Sequence, residues 1–264
     1  MKTTTYVATF EKTLPAIGPT YWRLCMALLF ACCVALAAVR PAWADDFEVT
    51  TELDGIDASL LDGECLNVTV VAGGACTLRA AIQQANASLE PDTIHLPPGT
   101  YILTIENPLD NAEDEAATGD LDIRRNVVIS GSGASVTIIE AADDLNDRVI
   151  QLIDEPAVVA LNRLTVRNGN TTLLGGSRHG GAIMNGGGSL EGFELVVADS
   201  TSPTFGGGIY TQGVSTTYLH RCTINGNKAE GDSALGGGIW LGQNHSLTLA
   251  NCTISDNEAG SRGG

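Results

Sequence analysis

The sequence predicts an all-β fold, a right-handed parallel β-helix with an N-terminal capping helix. The first observation is an h-x-h-x-x-h-x-h pattern that occurs four times, with its first members 31, 27 and 30 residues apart. The second is an apolar spacing of 2, which excludes helical solenoids, together with the absence of a leucine-rich-repeat signature. A repeat of about 30 residues is too short to bury its own core, so its copies must stack on one another. The four first members are Val159, Leu190, Thr217 and Leu247.

Each repeat contains two short strands separated by a bend. Alternation on both sides of the two-residue gap places the apolar side chains on one inward face. A further strand begins at the isoleucine after each "GGA" or "GGG", where glycine suits a sharp corner. Cys222 and Cys252 occupy inward positions, and we expect two buried thiols there, not a strained bridge. Asn227 and Asn257 follow at a turn where stacked amides can bond along the axis.

Residues 1–44 have the features of a signal peptide. Arg23 precedes an apolar run at 24–39, and the A-x-A at 42–44 predicts cleavage between Ala44 and Asp45. An uncleaved anchor is the alternative, but the run of 16 residues is shorter than the roughly 20 that span a bilayer. We therefore expect an exported protein with no membrane span after cleavage.

The mature chain is strongly acidic. Of the 14 basic and 31 acidic residues, four basic and one acidic lie in residues 1–44, which leaves a net charge of −20. Such a surface repels nucleic acid and anionic lipid, so neither is an expected partner. The charge also serves to keep a secreted protein soluble.

Residues 45–105 are predicted to form the N-terminal cap region. Leu78, Ala81, Ile82 and Ala85 have helical spacing, and Thr77 is a suitable N-cap. An amphipathic helix here would cover the unpaired backbone of the first coil. Residues 106–264 are assigned to the coils. We expect this region to be truncated at its C-terminus, because the sequence ends at the position where the next corner isoleucine would follow.

The cap region resembles a known family. "CTLRAAI" from Cys76, with "DTIHLPPGTYILT" after it, is similar to the CSLREA domain family of exported bacterial proteins. "DGEC" at 62–65 and "TGDLDI" at 118–123 extend the resemblance over residues 47 to 170. It implies a right-handed β-helix of pectate-lyase-like shape, secreted or on the outer surface of a bacterial cell. It also implies a disulfide between Cys65 and Cys76, which the compartment allows. Ala80 replaces the family's glutamate, so half of a capping box is lost.

The best candidate for ligand binding is a row of outward residues. Met184, Tyr210 and Trp240 each follow a corner isoleucine, and stacked rungs would align them into an apolar strip for sugars or a partner chain. The alternative, which we favour, is that loops at 173–179 or 227–235 cover the strip. A carbohydrate or a host or cell-surface partner would be the ligand.

Charged residues at the bend favour a structural interpretation. Arg163, Glu194 and Arg221 share one outward position, which predicts a ladder of opposite charges. A catalytic arginine, as in β-helix pectate lyases, would need clustered acidic calcium ligands beside it. The acidic loop at 110–122 could bind calcium but lacks the order of known calcium loops, and no metal site or other cofactor is predicted.

Two functions of different classes remain open. The first is a non-catalytic adhesive or structural protein, and the "GGAI" repeats resemble those of polymorphic outer-membrane adhesins, although the F-x-x-N motif is not evident. The second is a polysaccharide lyase or glycoside hydrolase, for which we identify no catalytic residues. The fold alone does not separate them.

Overall fold

Parallel strands stacked as a β-solenoid form nearly all the regular structure, as predicted. The computed structural model describes residues 44–60, 62–67, 74–107, 113–153, 157–172, 178–214 and 216–263. The predicted signal peptide therefore lies outside the described residues, apart from Ala44. Every ladder between the strands is parallel, and each strand pairs with its counterpart one repeat away.

The strands in the described part of the chain form four parallel sheets. The seven-stranded sheet contains, in spatial order, β1 (Asp46–Glu48), β2 (Asp92–Leu96), β5 (Val127–Gly131), β8 (Val158–Asn162), β11 (Ser189–Phe193), β15 (Thr216–His220) and β19 (Ser246–Ala250). The six-stranded sheet contains β3 (Gly99–Leu103), β6 (Thr137–Ala141), β9 (Thr165–Arg167), β12 (Val196–Ala198), β16 (Thr223–Asn225) and β20 (Thr253–Ser255).

The other two sheets contain fewer strands and do not reach every repeat. The five-stranded sheet contains β4 (Leu121–Ile123), β7 (Ile150–Leu152), β10 (Ile183–Asn185), β14 (Ile209–Thr211) and β18 (Ile239–Leu241). The three-stranded sheet contains the short strands β13 (Thr201–Ser202), β17 (Lys228–Ala229) and β21 (Glu258–Ala259).

The predicted register is confirmed. Val159 pairs with Leu190, Leu190 with Thr217, and Thr217 with Leu247. Leu164, Leu195 and Cys222 are at most 2% exposed inside the solenoid. The inward file becomes accessible at β19 and β20, where Leu249 and Ile254 are 41% and 46% exposed, since no described strand packs beyond them. The interior is therefore one continuous aliphatic core shared between repeats.

The bend inside each repeat depends on left-handed backbone. Arg163, Glu194, Arg221 and Asn251 have φ between 51° and 59°. This conformation at the second gap residue turns the chain between the two strands while keeping the apolar side chains inward. At the following corner Gly206 has φ 64°, and a Cβ there would lie 2.4 Å from the Ile209 carbonyl oxygen. The glycine runs are therefore required by the corner geometry.

The predicted amide ladder is confirmed, and the expectation of two buried thiols is confirmed for Cys222 but not for Cys252. Asn227 Nδ2 donates to Asn257 Oδ1 at 3.0 Å, and Ser200 N–H donates to Asn227 Oδ1 at 3.2 Å, so an amide ladder runs along the axis. Cys222 and Cys252 are free thiols, the first buried and the second partly exposed. Burial raises the pKa of the Cys222 thiol to about 11, so this thiol is protonated at neutral pH.

The cap contains the helix α1 (Leu78–Ala87), which packs on β2 and β4. Thr77 is the N-cap, and its hydroxyl accepts the Ala80 N–H at 3.0 Å. Ala80 itself is fully buried, and the threonine half of the cap is present. A disulfide joins Cys65 to Cys76, as the resemblance implied.

Candidate functional site

The predicted strip has the expected alignment but is not an open surface. Met184 pairs with Tyr210, and Tyr210 with Trp240, on adjacent strands of the five-stranded sheet. The Tyr210 and Trp240 rings stack with centroids 4.8 Å apart and planes within 6°. However, Met184 and Tyr210 are only 7% and 5% exposed. The covered arrangement, which the sequence favoured, therefore describes Met184 and Tyr210, and the candidate binding strip is not accessible at these two residues.

Two rings from the preceding corners cover the strip. His179 stacks on Tyr210 at 4.5 Å, and Phe205 stacks on Trp240 at 5.1 Å. His179 and Phe205 also stack on each other at 5.2 Å, which closes a four-ring cluster. Burial, followed by the positive charge of Arg148, lowers the pKa of His179. His179 is the last residue of the proposed covering loop 173–179, whose residues 173–177 lie outside the described part of the chain. Phe205 belongs to neither of the two proposed loops.

An exposed aromatic group on another sheet was not identified from the sequence. Phe193 at the end of β11 and Tyr218 and His220 on β15 point outward from the seven-stranded sheet. Phe193 is 37% exposed and Tyr218 46% exposed. We call these three residues the aromatic patch. The sequence signal was present, because all three alternate with the inward residues Gly192 and Leu219 of the repeat pattern.

The predicted charge ladder is present beside the aromatic patch. Glu194 lies 3.0 Å from Arg221 Nη2 and 3.9 Å from Arg163 Nε. The Arg221 guanidinium also lies 5.6 Å from the centroid of the Phe193 ring. All three charged groups are substantially exposed, so the ladder contributes at most about 1 kcal/mol per pair. One carboxylate thus lies between two guanidinium groups along the bend, and the three side chains, two positive and one negative, together carry a net charge of +1.

Carboxylates and an arginine do converge at one corner, which the sequence analysis did not anticipate. Asp120 Oδ2 accepts from Arg148 Nη1 at 3.2 Å, and each side chain is 7% exposed. Burial and the nearby Asp147 raise the pKa of Asp120 to about 7. Burial also raises the pKa of Asp147, against the opposing effect of Arg148.

The neighbouring Asp122 is more strongly perturbed. Its Oδ2 accepts the Ala116 N–H at 3.2 Å, while its Oδ1 is buried with no hydrogen-bond partner among the described residues. Burial, then the charge of Asp120, raises the pKa of Asp122 to about 10. The Asp122 carboxyl is thus neutral in the folded chain at pH 7.

Arg79 ties this corner to the cap helix. Its guanidinium is fully buried and forms a bidentate pair with Asp54, at 2.7 Å and 3.1 Å. The remaining donors reach the carbonyl oxygens of Ala116, Gly119 and Asp120 at 2.8–3.2 Å. The arginine of "CTLRAAI" therefore links two segments that carry the family resemblance, and its role is architectural.

Among the described residues, no group of three or more His, Cys, Asp or Glu side chains is arranged to hold a metal ion. In the described part of the acidic loop, the Glu113 carboxylate accepts the N–H groups of Ala117 and Thr118 at 3.0–3.1 Å. A cleft of about 290 Å³ near β6 and β9 is also acidic, but its Glu140 carboxylate pairs with Arg167 at 2.6 Å.

No family model, curated protein or solved structure matches this chain. Within the described ranges, no helix has both the length and the apolar character needed to cross a membrane.

Proposed function

We propose that this chain is an exported adhesive or structural β-helix protein, secreted or held at the outer surface of a bacterial cell. A long solenoid with a continuous core presents rigid outward faces without needing a catalytic centre. The disulfide between Cys65 and Cys76 agrees with an oxidising compartment outside the cytosol. The CSLREA resemblance of the cap region supports the same location.

One observation carries the choice of a non-catalytic role. In the described residues, Asp120 and Asp147 converge with Arg148 at a buried corner, where the Asp120 and Arg148 side chains are each only 7% exposed. A general acid or base must come within hydrogen-bond reach of its substrate. These groups instead bond to one another and to the chain, so we assign them to holding the first corners together.

The role is tested by adhesion and by activity on the same preparation. The full chain, exported from a bacterial host, is coated on beads, and bead retention on bacterial and host-cell layers is compared with beads coated with an unrelated acidic protein. In parallel, release of unsaturated sugars from pectate, alginate and chondroitin is followed with and without calcium. Retention without sugar release supports the proposal, and calcium-dependent sugar release would assign the chain to the polysaccharide lyases.

Export is tested on the same material. N-terminal sequencing of the secreted chain should begin at Asp45, since Ala44 ends the small-residue site. A secreted or membrane-bound species that retains residues 1–44 would contradict cleavage at this position.

A further inference from the structure

The rings of the aromatic patch are ordered by the strands that carry them. Phe193 and His220 are direct partners on β11 and β15, with centroids 5.5 Å apart and planes within 13°. Tyr218 and His220 lie two residues apart on β15, and their planes are parallel to within 1° at 6.4 Å. Tyr218 and His220 thus share one ring orientation, and Phe193 stacks on His220 from the neighbouring strand.

The adjacent strand leaves room in front of these two rings. Tyr218 pairs with Thr248, and His220 with Ala250, on β19. Threonine and alanine side chains are too short to cover an aromatic ring on the neighbouring strand about 4.8 Å away. The outward face of β19 is therefore a low ledge in front of Tyr218 and His220. This differs from the cluster at Tyr210, whose ring is covered by His179.

Polar groups surround the ledge. The Asn251 amide lies 3.5 Å from His220 Nε2, and the hydroxyls of Tyr218 and Thr248 are on exposed side chains. These groups can donate and accept hydrogen bonds at the edges of a ligand whose centre lies against the rings. A flat apolar centre with a polar edge is the chemistry of a pyranose ring.

The charges favour a neutral ligand. Glu191 is exposed directly beside Tyr218, and Glu194 already engages the two nearest arginines, Arg163 and Arg221. The whole chain carries a net charge of −17. The charges named at the site balance, and the net acidity of the whole chain disfavours an acidic polysaccharide but not uncharged hydroxyl groups.

From this geometry we infer that the aromatic patch and the β19 ledge form a binding site for a neutral glycan, in which a sugar ring stacks on Tyr218 and His220. The inference deepens the proposed adhesive function by naming its ligand class and rests on it for its biological role. Binding itself is measured independently of adhesion. The site replaces the strip at Met184, Tyr210 and Trp240 as the candidate carbohydrate surface.

Affinity electrophoresis with the full chain tests the site. Laminarin, galactomannan and xyloglucan serve as neutral probes, and polygalacturonate and alginate as acidic ones. We expect at least one neutral probe to retard the wild-type chain. Tyr218→Ala should weaken that retardation about tenfold, the loss that follows from removing one aromatic stacking contact. Val158→Ala, which removes an exposed apolar side chain from the same sheet away from the patch, should leave it unchanged.

Each other outcome overturns the inference. Equal retardation of all three proteins would place binding elsewhere, and retardation by acidic probes alone would refute a neutral ligand. Concentration-dependent self-association that Tyr218→Ala abolishes would make the patch a contact between copies. Unchanged thermal melting of both variants verifies that folding is intact. If beads coated with wild type and with Tyr218→Ala are retained equally by cells and no probe binds, the glycan site fails while the adhesive function stands. If a neutral probe binds but the beads are not retained by cells, the glycan site stands while the adhesive function fails.

Discussion

The strongest prediction concerns the pH dependence of stability at Asp122. This carboxyl is fully buried, its Oδ1 has no hydrogen-bond partner among the described residues, and three acidic neighbours act on it. Its pKa is raised to about 10, chiefly by burial and then by Asp120. The folded chain therefore holds a proton at pH values where the unfolded chain has released it.

The magnitude follows from the two pKa values. An unfolded aspartate titrates near pH 4, and each pH unit over which only the folded chain keeps the proton costs about 1.4 kcal/mol. Between pH 4 and pH 7 the cost is about 4 kcal/mol, a large share of the 5–15 kcal/mol that stabilises a typical domain. Because the folded pKa is raised, the stability is fully present below pH 4 and is lost as the pH rises towards 10.

The perturbation is Asp122→Asn, which keeps the shape and removes the titration. We expect the free energy of unfolding of the wild type, measured by urea titration, to fall steadily from pH 5 to pH 8. The free energy of unfolding of the variant should decline less with pH and should be higher than that of the wild type at pH 8. If the new amide lacks a hydrogen-bond partner, this gain is smaller by about 1–3 kcal/mol. Asp232→Asn, an exposed position on a turn, changes the net charge equally and is the matched control.

Two results would refute the reasoning. The first is a wild-type stability that rises between pH 5 and pH 8, or a decline that both variants share. The second is stabilisation of the wild type by millimolar calcium at pH 8, reversed by a chelator and absent in Asp122→Asn. That result would mean that a cation, and not a proton, neutralises the cluster.

Three further predictions concern the cap and the interior. Arg79→Lys should destabilise the chain by about 3–5 kcal/mol in urea unfolding, because a lysine cannot replace the bidentate pair and the three carbonyl contacts; a loss below 1 kcal/mol would contradict its assigned role. Replacing Cys65 and Cys76 together by serine should cost about 2–4 kcal/mol, and reductant should destabilise only the wild type. Asn227→Ala should cost about 2 kcal/mol, because Ser200 N–H loses its acceptor, and hydrogen exchange should quicken at that amide.

The parallel stacking was predictable because one periodicity determines it. The inward file from Val159 to Ile254 could be read directly from alternation, since a slip by one residue would turn every apolar side chain outward. The amide ladder at Asn227 and Asn257 followed from the same alignment. The opposite charges at Glu194 and Arg221 did as well. In each case the partners occupy equivalent positions in successive repeats, so sequence spacing alone brings them together.

The covering of the strip was expected, but the rings that cover it could not be identified in this way. The rings of His179 and Phe205 come from corner segments whose path over the sheet depends on local backbone geometry, not on the repeat. The acidic corner was missed for a related reason. Asp120 and Asp147 are 27 residues apart but precede the first repeat in which the pattern is recognisable, so no register aligned them.

In-register stacking imposes a general condition on this acidic chain. Each outward position has its counterpart about 4.8 Å away in the next repeat, so two like charges in one file repel each other strongly. One outward file of the five-stranded sheet consists of Asp122, Gln151, Met184, Tyr210 and Trp240. This file contains a single carboxyl, that of Asp122 at the cap end, and this carboxyl is protonated. Farther along the file the side chains change from polar to aromatic. Along the bend, Glu194 separates two arginines instead. In these two files, charged side chains are therefore either absent, neutral or alternated in sign. A long parallel solenoid can thus carry a large net charge without like charges stacking on adjacent strands.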